Sequence, residues 1–169
     1  VWTAMEENVP LRSGCSVLAQ AGSGGVGLVA GRCAHRAGAL VYSTAGSATK
    51  KAYVRHTAGV TLLSSTRDGA AFTSEMKQMM GPEEQLEMVL NSLSHDCYIP
   101  VAVEHLQNGG RFYEIGKRGI WSNAKMAEFS NDTVRYKMVA VDGYTERDPC
   151  WQHYALQAIF SRCNDSVQE

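Results

Sequence analysis

The chain has 169 residues, 44% hydrophobic and 20% charged, proportions ordinary for a globular domain built around one hydrophobic core. Sixteen Lys plus Arg against 17 Asp plus Glu leave a formal net charge of -1. No overall field therefore draws in nucleic acid or an acidic membrane, and any anion site must be local. The longest apolar runs, such as residues 26–30, fall far short of the roughly 18 residues that span a bilayer. No basic stretch precedes an apolar segment at the start, so the expectation is a soluble, untargeted chain with no membrane partner. Five cysteines, Cys15, Cys33, Cys97, Cys150 and Cys163, are scattered without C-x-x-C spacing. They read as buried free thiols of a reducing compartment, the cytoplasm. Residues 1–7 carry no initiator Met and resemble the end of a helix, which suggests one domain cut from something longer.

In chain order, short apolar runs suited to buried strands occur at 16–20, 40–44, 60–63, 87–90, 111–115 and 136–141. Helical spacing fills most of the gaps. Val26, Val29, Ala30, Cys33, Ala34 and Ala37 recur at steps of three and four and stop at Gly38. A second helix is expected over 49–57 before Gly59, a third over 71–80 before Gly81-Pro82, and a fourth over 98–107 before Asn108-Gly109-Gly110. After the sixth strand a charged turn, Glu146-Arg147-Asp148, leads into a last helix over 149–163. Parallel strands need crossover connections, and those crossovers are right-handed. The alternation thus predicts a Rossmann-type α/β fold, a doubly wound, mainly parallel six-stranded sheet with helices on both faces.

Between the first strand and the first helix stands Gly22-Ser23-Gly24-Gly25-Val26-Gly27, which fits G-x-G-x-x-G. Gly22 allows a tight turn, Gly24 lets the backbone approach a pyrophosphate, and Gly27 lets the helix pack on the strand. The amides at the helix start would hold the anion. Ser23 belongs to this loop, since the serine-hydrolase pattern G-x-S-x-G is missing. A methyltransferase or an NADH enzyme would carry an acidic residue after the second strand to hold ribose hydroxyls. Residues 44–51 contain no carboxylate. Instead Thr44, Ser47, Lys50 and Lys51 offer hydrogen bonds and positive charge, which suit a 2'-phosphate and favour NADPH. Ligands in open α/β sheets gather beyond the strand carboxyl ends. There Asn91 and Ser92, beside Leu93, would donate to ribose or carboxamide groups, and Gly116 would admit a nicotinamide, with Lys117 as a titratable neighbour. The five histidines share no ligand spacing, and no metal is implied.

The segments 16–28, 89–93, 109–117 and Gly119-Ile120-Trp121-Ser122 together resemble the enoyl reductase domains of polyketide synthases and animal fatty acid synthase, in the medium-chain dehydrogenase/reductase superfamily. The last segment is similar to the polyketide synthase version. The resemblance runs from about residue 10 to the final helix. It implies hydride transfer from NADPH to the β-carbon of an α,β-unsaturated acyl thioester on acyl carrier protein, followed by protonation of the α-carbon and without zinc. It also implies Lys117 and Asp142 as candidate proton donors, and other synthase domains as partners. A GroES-like substrate-binding subdomain, formed by sequence outside these residues, is expected to supply the rest of the site. Two alternatives stay open: an NADPH-dependent quinone oxidoreductase, and a non-catalytic nucleotide-binding fold serving as a spacer in a megasynthase.

Overall fold

The computed structural model describes residues 11–95 and 97–165; the side chains at 141, 142, 149, 159 and 162–165 lie outside that description. Six strands, β1 (Ser16–Ala19), β2 (Leu40–Ala45), β3 (Leu62–Ser65), β4 (Leu86–Asn91), β5 (Leu106–Glu114) and β6 (Arg135–Met138), form one sheet of order β3-β2-β1-β4-β5-β6. Every neighbouring pair is parallel. The expected fold is present, and the strand order reverses between β1 and β4, so a crevice opens there at the carboxyl edge.

The helices are α1 (Gly25–Arg36), α2 (Ala48–Ala58), α3 (Gly69–Met79), α4 (Tyr98–Glu104), α5 (Asn123–Ser130), α6 (Val141–Arg147) and α7 (Pro149–Asp165). Alternation along each strand sends side chains to opposite faces. Val17, Ala19, Met88, Leu90 and Tyr113 join Ala30 and Ala34 of α1 and Val54 of α2 in one cluster. Leu18, Val89 and Phe112 join Phe72 and Met76 of α3, Tyr98 and Ile99 of α4 and Met126 of α5 in the other. Helices thus cover both faces, and the sheet is the shared wall of two apolar layers.

Several boundaries differ from expectation for local reasons. Expected at 60–63, β3 runs two residues later, because Gly59 at φ 69 closes α2 and Val60 packs inward before pairing begins. The helix expected over 98–107 stops at Glu104, since Leu106 already pairs with Leu86. Two helices were not expected. The first, α5, buries only Met126 and Ser130, so its apolar stripe is too thin to stand out; α6 begins at Val141, where the sixth strand was expected to continue. Cys150 is exposed rather than buried, Cys15 is buried, Cys33 and Cys97 lie between, and Cys163 falls outside the described side chains. Among the described residues no helix is long and apolar enough to cross a membrane.

Candidate functional site at the carboxyl edge of the sheet

The glycine loop is held by the strand beside it. Ala21 N–H donates to Thr44 Oγ1 and Gly22 N–H to the Thr44 carbonyl, both at 2.8 Å. These contacts fix Ala21 at φ 52, a left-handed conformation that costs an alanine about 1 kcal/mol or more. A Cβ on Gly22 would run into Ser43 Oγ, and one on Gly27 would come within 2.7 Å of the Gln20 carbonyl oxygen. Gly22 and Gly27 therefore let loop and helix lie against the strands. Gly24 and Gly25 are exposed, as is Val26, and a Cβ on Gly25 would meet nothing within 4 Å.

At its N-terminus α1 is capped by Gly24 with no side-chain hydrogen bond. The first turns of α2, α3 and α5 are capped by Ser47, Asp68 and Ser122 oxygens, whereas the short helices α4 and α6 lack a side-chain cap as α1 does. A helix start leaves amides unsatisfied and carries partial positive charge. Uncapped, at the switch point of a parallel sheet, it is suited to an anion.

Near the end of β2, Thr44 is fully buried and engaged with the loop, while Ser47 and Lys50 beyond the strand are exposed. Lys51 is drawn away: its Nζ lies 3.1 Å from Glu75 Oε1 on α3. A cation missed by sequence reasoning, Arg67, lies here, with its Nε 3.0 Å from where a Gly46 Cβ would stand. It follows β3 in a turn where Ser65 Oγ accepts from the Arg67 and Asp68 N–H groups. A serine-rich turn hides such a residue, because only sheet order brings the β3 end beside the β2 loop.

On the other side of the switch point a cleft of about 490 Å³ is lined by Ser92, Ser94, His95, Gly116, Lys117 and Gly119, among others. It brings together three expected residues, Ser92, Gly116 and Lys117. Leu93 packs on the apolar layer below, and its N–H donates to Gln20 Oε1 at 3.1 Å. A Cβ on Gly116 would fall 2.5 Å from Ser94 Oγ and 2.7 Å from Glu114 Oε1, so the turn there is too tight for any side chain. Ser92 Oγ is buried without a partner in the structure. Lys117 is exposed at the rim; Asp142 sits in the backbone of α6, but its side chain lies outside the described residues.

Behind the cleft stands Glu114, 1% exposed, another residue the sequence reading did not assign a role. Its Oε2 accepts from Asn91 Nδ2 and its Oε1 from the Gly116 N–H, each at 2.6 Å. Asn91 was expected to donate to a ligand; its amide nitrogen is given to Glu114, and its Oδ1 is the atom left buried without a partner. Burial pushes the Glu114 carboxyl above its ordinary range, and the hydrogen bonds from Asn91 and Gly116 pull the other way. Burial, and secondarily the Glu114 carboxylate, raises the Tyr136 hydroxyl to about 12.

A glycine-started helix without a side-chain cap and a cleft beside it, at the switch point of a Rossmann sheet, are the arrangement of a nucleotide-binding subdomain. The profile of one family, described as zinc-binding dehydrogenase, matches residues 25–161. Highly reducing polyketide synthase fogA of Aspergillus ruber is 37% identical over 118 residues, which are 69% of this chain and 5% of that protein. The nucleotide-binding subdomain of the enoylreductase domain of PpsC from Mycobacterium tuberculosis superposes with a TM-score of 0.79 at 28% identity, over 98% of this chain and 90% of that one. The CurK enoyl reductase gives a TM-score of 0.84 at 30% identity, covering 98% of this chain but 48% of that one. The chain belongs to the zinc-binding dehydrogenase family and, within the medium-chain dehydrogenase/reductase superfamily, to its polyketide synthase enoyl reductase kind, of which this fold is the nucleotide-binding subdomain. It spans a small fraction of the synthases it matches and about half of the CurK enoyl reductase. Despite the family's description, no group of three His, Cys, Asp or Glu able to hold a metal occurs among the described residues, so they do not fit a zinc site.

Proposed function

We propose that the chain is the NADPH-binding part of an enoyl reductase that reduces α,β-unsaturated acyl thioesters carried on acyl carrier protein. The uncapped, glycine-started helix α1 at the β1/β4 switch point carries this reading. When bound, NADPH supplies the hydride that goes to the substrate β-carbon.

The chain's own residues divide the remaining work. Amides at Gly25 and Val26, with Ser23 beside them, hold the pyrophosphate, while the Gly24 amide donates to the Ala21 carbonyl and shapes the turn. Ser47, Lys50 and Arg67 meet the 2'-phosphate at the β2 and β3 ends, where residues 44–51 hold no carboxylate to repel it. Ser92 offers its unpartnered hydroxyl to the ribose or carboxamide, with Asn91 and Leu93 fixing its backbone. Gly116 packs tightly against Ser94 and Glu114, which puts its backbone in the wall of the cleft where the nicotinamide ring lies. Lys117 and Asp142, beyond the β5 and β6 ends, deliver the proton to the α-carbon of the reduced thioester. Substrate-binding residues come from sequence outside this domain, other synthase domains are its partners, and scattered thiols suit the cytoplasm.

Titration calorimetry on this chain with NADPH and NADH tests the reading. NADPH should bind about tenfold or more tightly, the worth of one charge-assisted phosphate contact. Equal affinities would remove the preference, and no binding of either would remove the function.

A further inference from the structure

Glu114, Asn91 and Gln20 stand side by side at the carboxyl ends of β5, β4 and β1. The register pairs Asn91 with Glu114, and Gln20 N–H donates to the Leu90 carbonyl to continue the β1/β4 ladder. Two residues earlier the same face carries Phe112, Val89 and Leu18, members of one apolar cluster. The three polar side chains thus cap that cluster, at 1%, 0% and 2% exposure. Burial at this depth is tolerated only where polar atoms are paired.

Each side chain is oriented by what it touches. With donors at 2.6 Å on both oxygens, Glu114 is a carboxylate accepting twice. Asn91 must then turn its amide nitrogen toward β5 and its Oδ1 away. At the opposite end the Leu93 N–H donates to Gln20 Oε1, which leaves Gln20 Nε2 as the outer atom. Asn91 Oδ1 and Gln20 Nε2 are both buried without a partner, one an acceptor and one a donor, on neighbouring strands. They are complementary and not bonded to each other in the structure, so a small side-chain rotation that brings them into direct contact would satisfy both.

We propose that Glu114, Asn91 and Gln20 form one polarised hydrogen-bonded row, its direction set by the Glu114 carboxylate, and that this row positions the Gly116 and Leu93 backbones on either side of the cleft for the nicotinamide half of the cofactor. Glu114 is a positioning residue here. The final clause rests on the NADPH reading; the row itself does not.

The direction of the row makes it testable. In Glu114→Gln, the substituted side chain can accept from the Gly116 N–H only by offering its own amide nitrogen to Asn91. Asn91 then flips, Gln20 must flip in turn, and the Leu93 N–H faces another N–H. Adding Gln20→Glu reverses the row completely: the new carboxylate accepts from both Asn91 and Leu93, at unchanged net charge and nearly unchanged volume. Amide hydrogen exchange in the full chain without nucleotide should rise about tenfold at Leu93 in Glu114→Gln. In Glu114→Gln/Gln20→Glu it should return to within about threefold of wild type. Affinity for NADPH should fall and recover in parallel, while that for 2'-phospho-ADP-ribose, which lacks the nicotinamide, stays unchanged.

Unchanged Leu93 exchange in the single variant, or a double variant at least as impaired as the single, overturns the row. If Glu114→Gln does not fold, a folded double variant supports the row and an unfolded one overturns it. Equal losses for NADPH and the fragment overturn the nicotinamide clause. Exchange that follows the pattern in a chain that binds no NADPH supports the row and defeats the cofactor reading alone.

Discussion

At the scale of single residues, the glycines of one motif do different physical work. Gly27 lies where α1 crosses the end of β1, and an added methyl would meet the Ala21 and Gln20 backbones, which cannot move without shifting the strand. Gly27→Ala should therefore cost about 1–3 kcal/mol of stability in urea unfolding, the usual range for overpacking. Gly25 opens the same helix with nothing within 4 Å of its missing Cβ. Gly25→Ala should leave stability within about 0.5 kcal/mol of wild type, yet weaken NADPH binding by crowding the anion. If both variants unfold at the same urea concentration, the close approach at Gly27 is not a real constraint.

At the scale of elements, the proposed function turns on which cations would face a 2'-phosphate. The sequence places Lys50 and Lys51 together, but α2 turns them apart: Lys50 is exposed near the Ser47 cap, and Lys51 pairs with Glu75 of α3. Arg67 comes from the next βα turn and packs over Gly46. Lys50→Ala and Arg67→Ala should each lower NADPH affinity about tenfold and leave NADH affinity unchanged, as measured by calorimetry. Lys51→Ala should change the NADPH-to-NADH ratio less than about threefold, because its charge is already engaged by Glu75. A larger effect of Lys51 than of Arg67 would reverse this assignment.

At the scale of the whole molecule, the domain offers an open cleft at the sheet edge and little enclosure for a substrate. Its cleft is bordered on one side by exposed Lys117, Arg118 and Gly119, and Tyr154, Leu156 and Phe160 of α7 stand open on the surface. Positioning of reactants supplies much of catalysis. Crotonyl-pantetheine reduction by this chain alone, followed by NADPH absorbance, should therefore be absent. In an intact parent enzyme, Lys117→Ala with Asp142→Asn should slow α-carbon protonation about a hundredfold. Normal turnover by that double variant would move the proton donor elsewhere, and turnover by the isolated chain would show that no second subdomain is needed.

The sequence by itself determined the alternation of strand and helix, the glycine loop between the first pair, and the lack of a carboxylate after the second strand. These signals are local, carried by spacing of apolar residues and by backbone demands that only certain residues meet. Helix α5 stayed hidden because only Met126 and Ser130 are buried, and β5 was read short because its first half, with Gly109 and Gly110, looks like a turn. Only the tertiary structure decided which polar groups meet. Gln20 reaches Leu93 across 73 residues, Asn91 reaches Glu114 across 23, and Lys51 reaches Glu75 across 24. No local pattern encodes those pairings, since they follow from the order in which six parallel strands lie side by side.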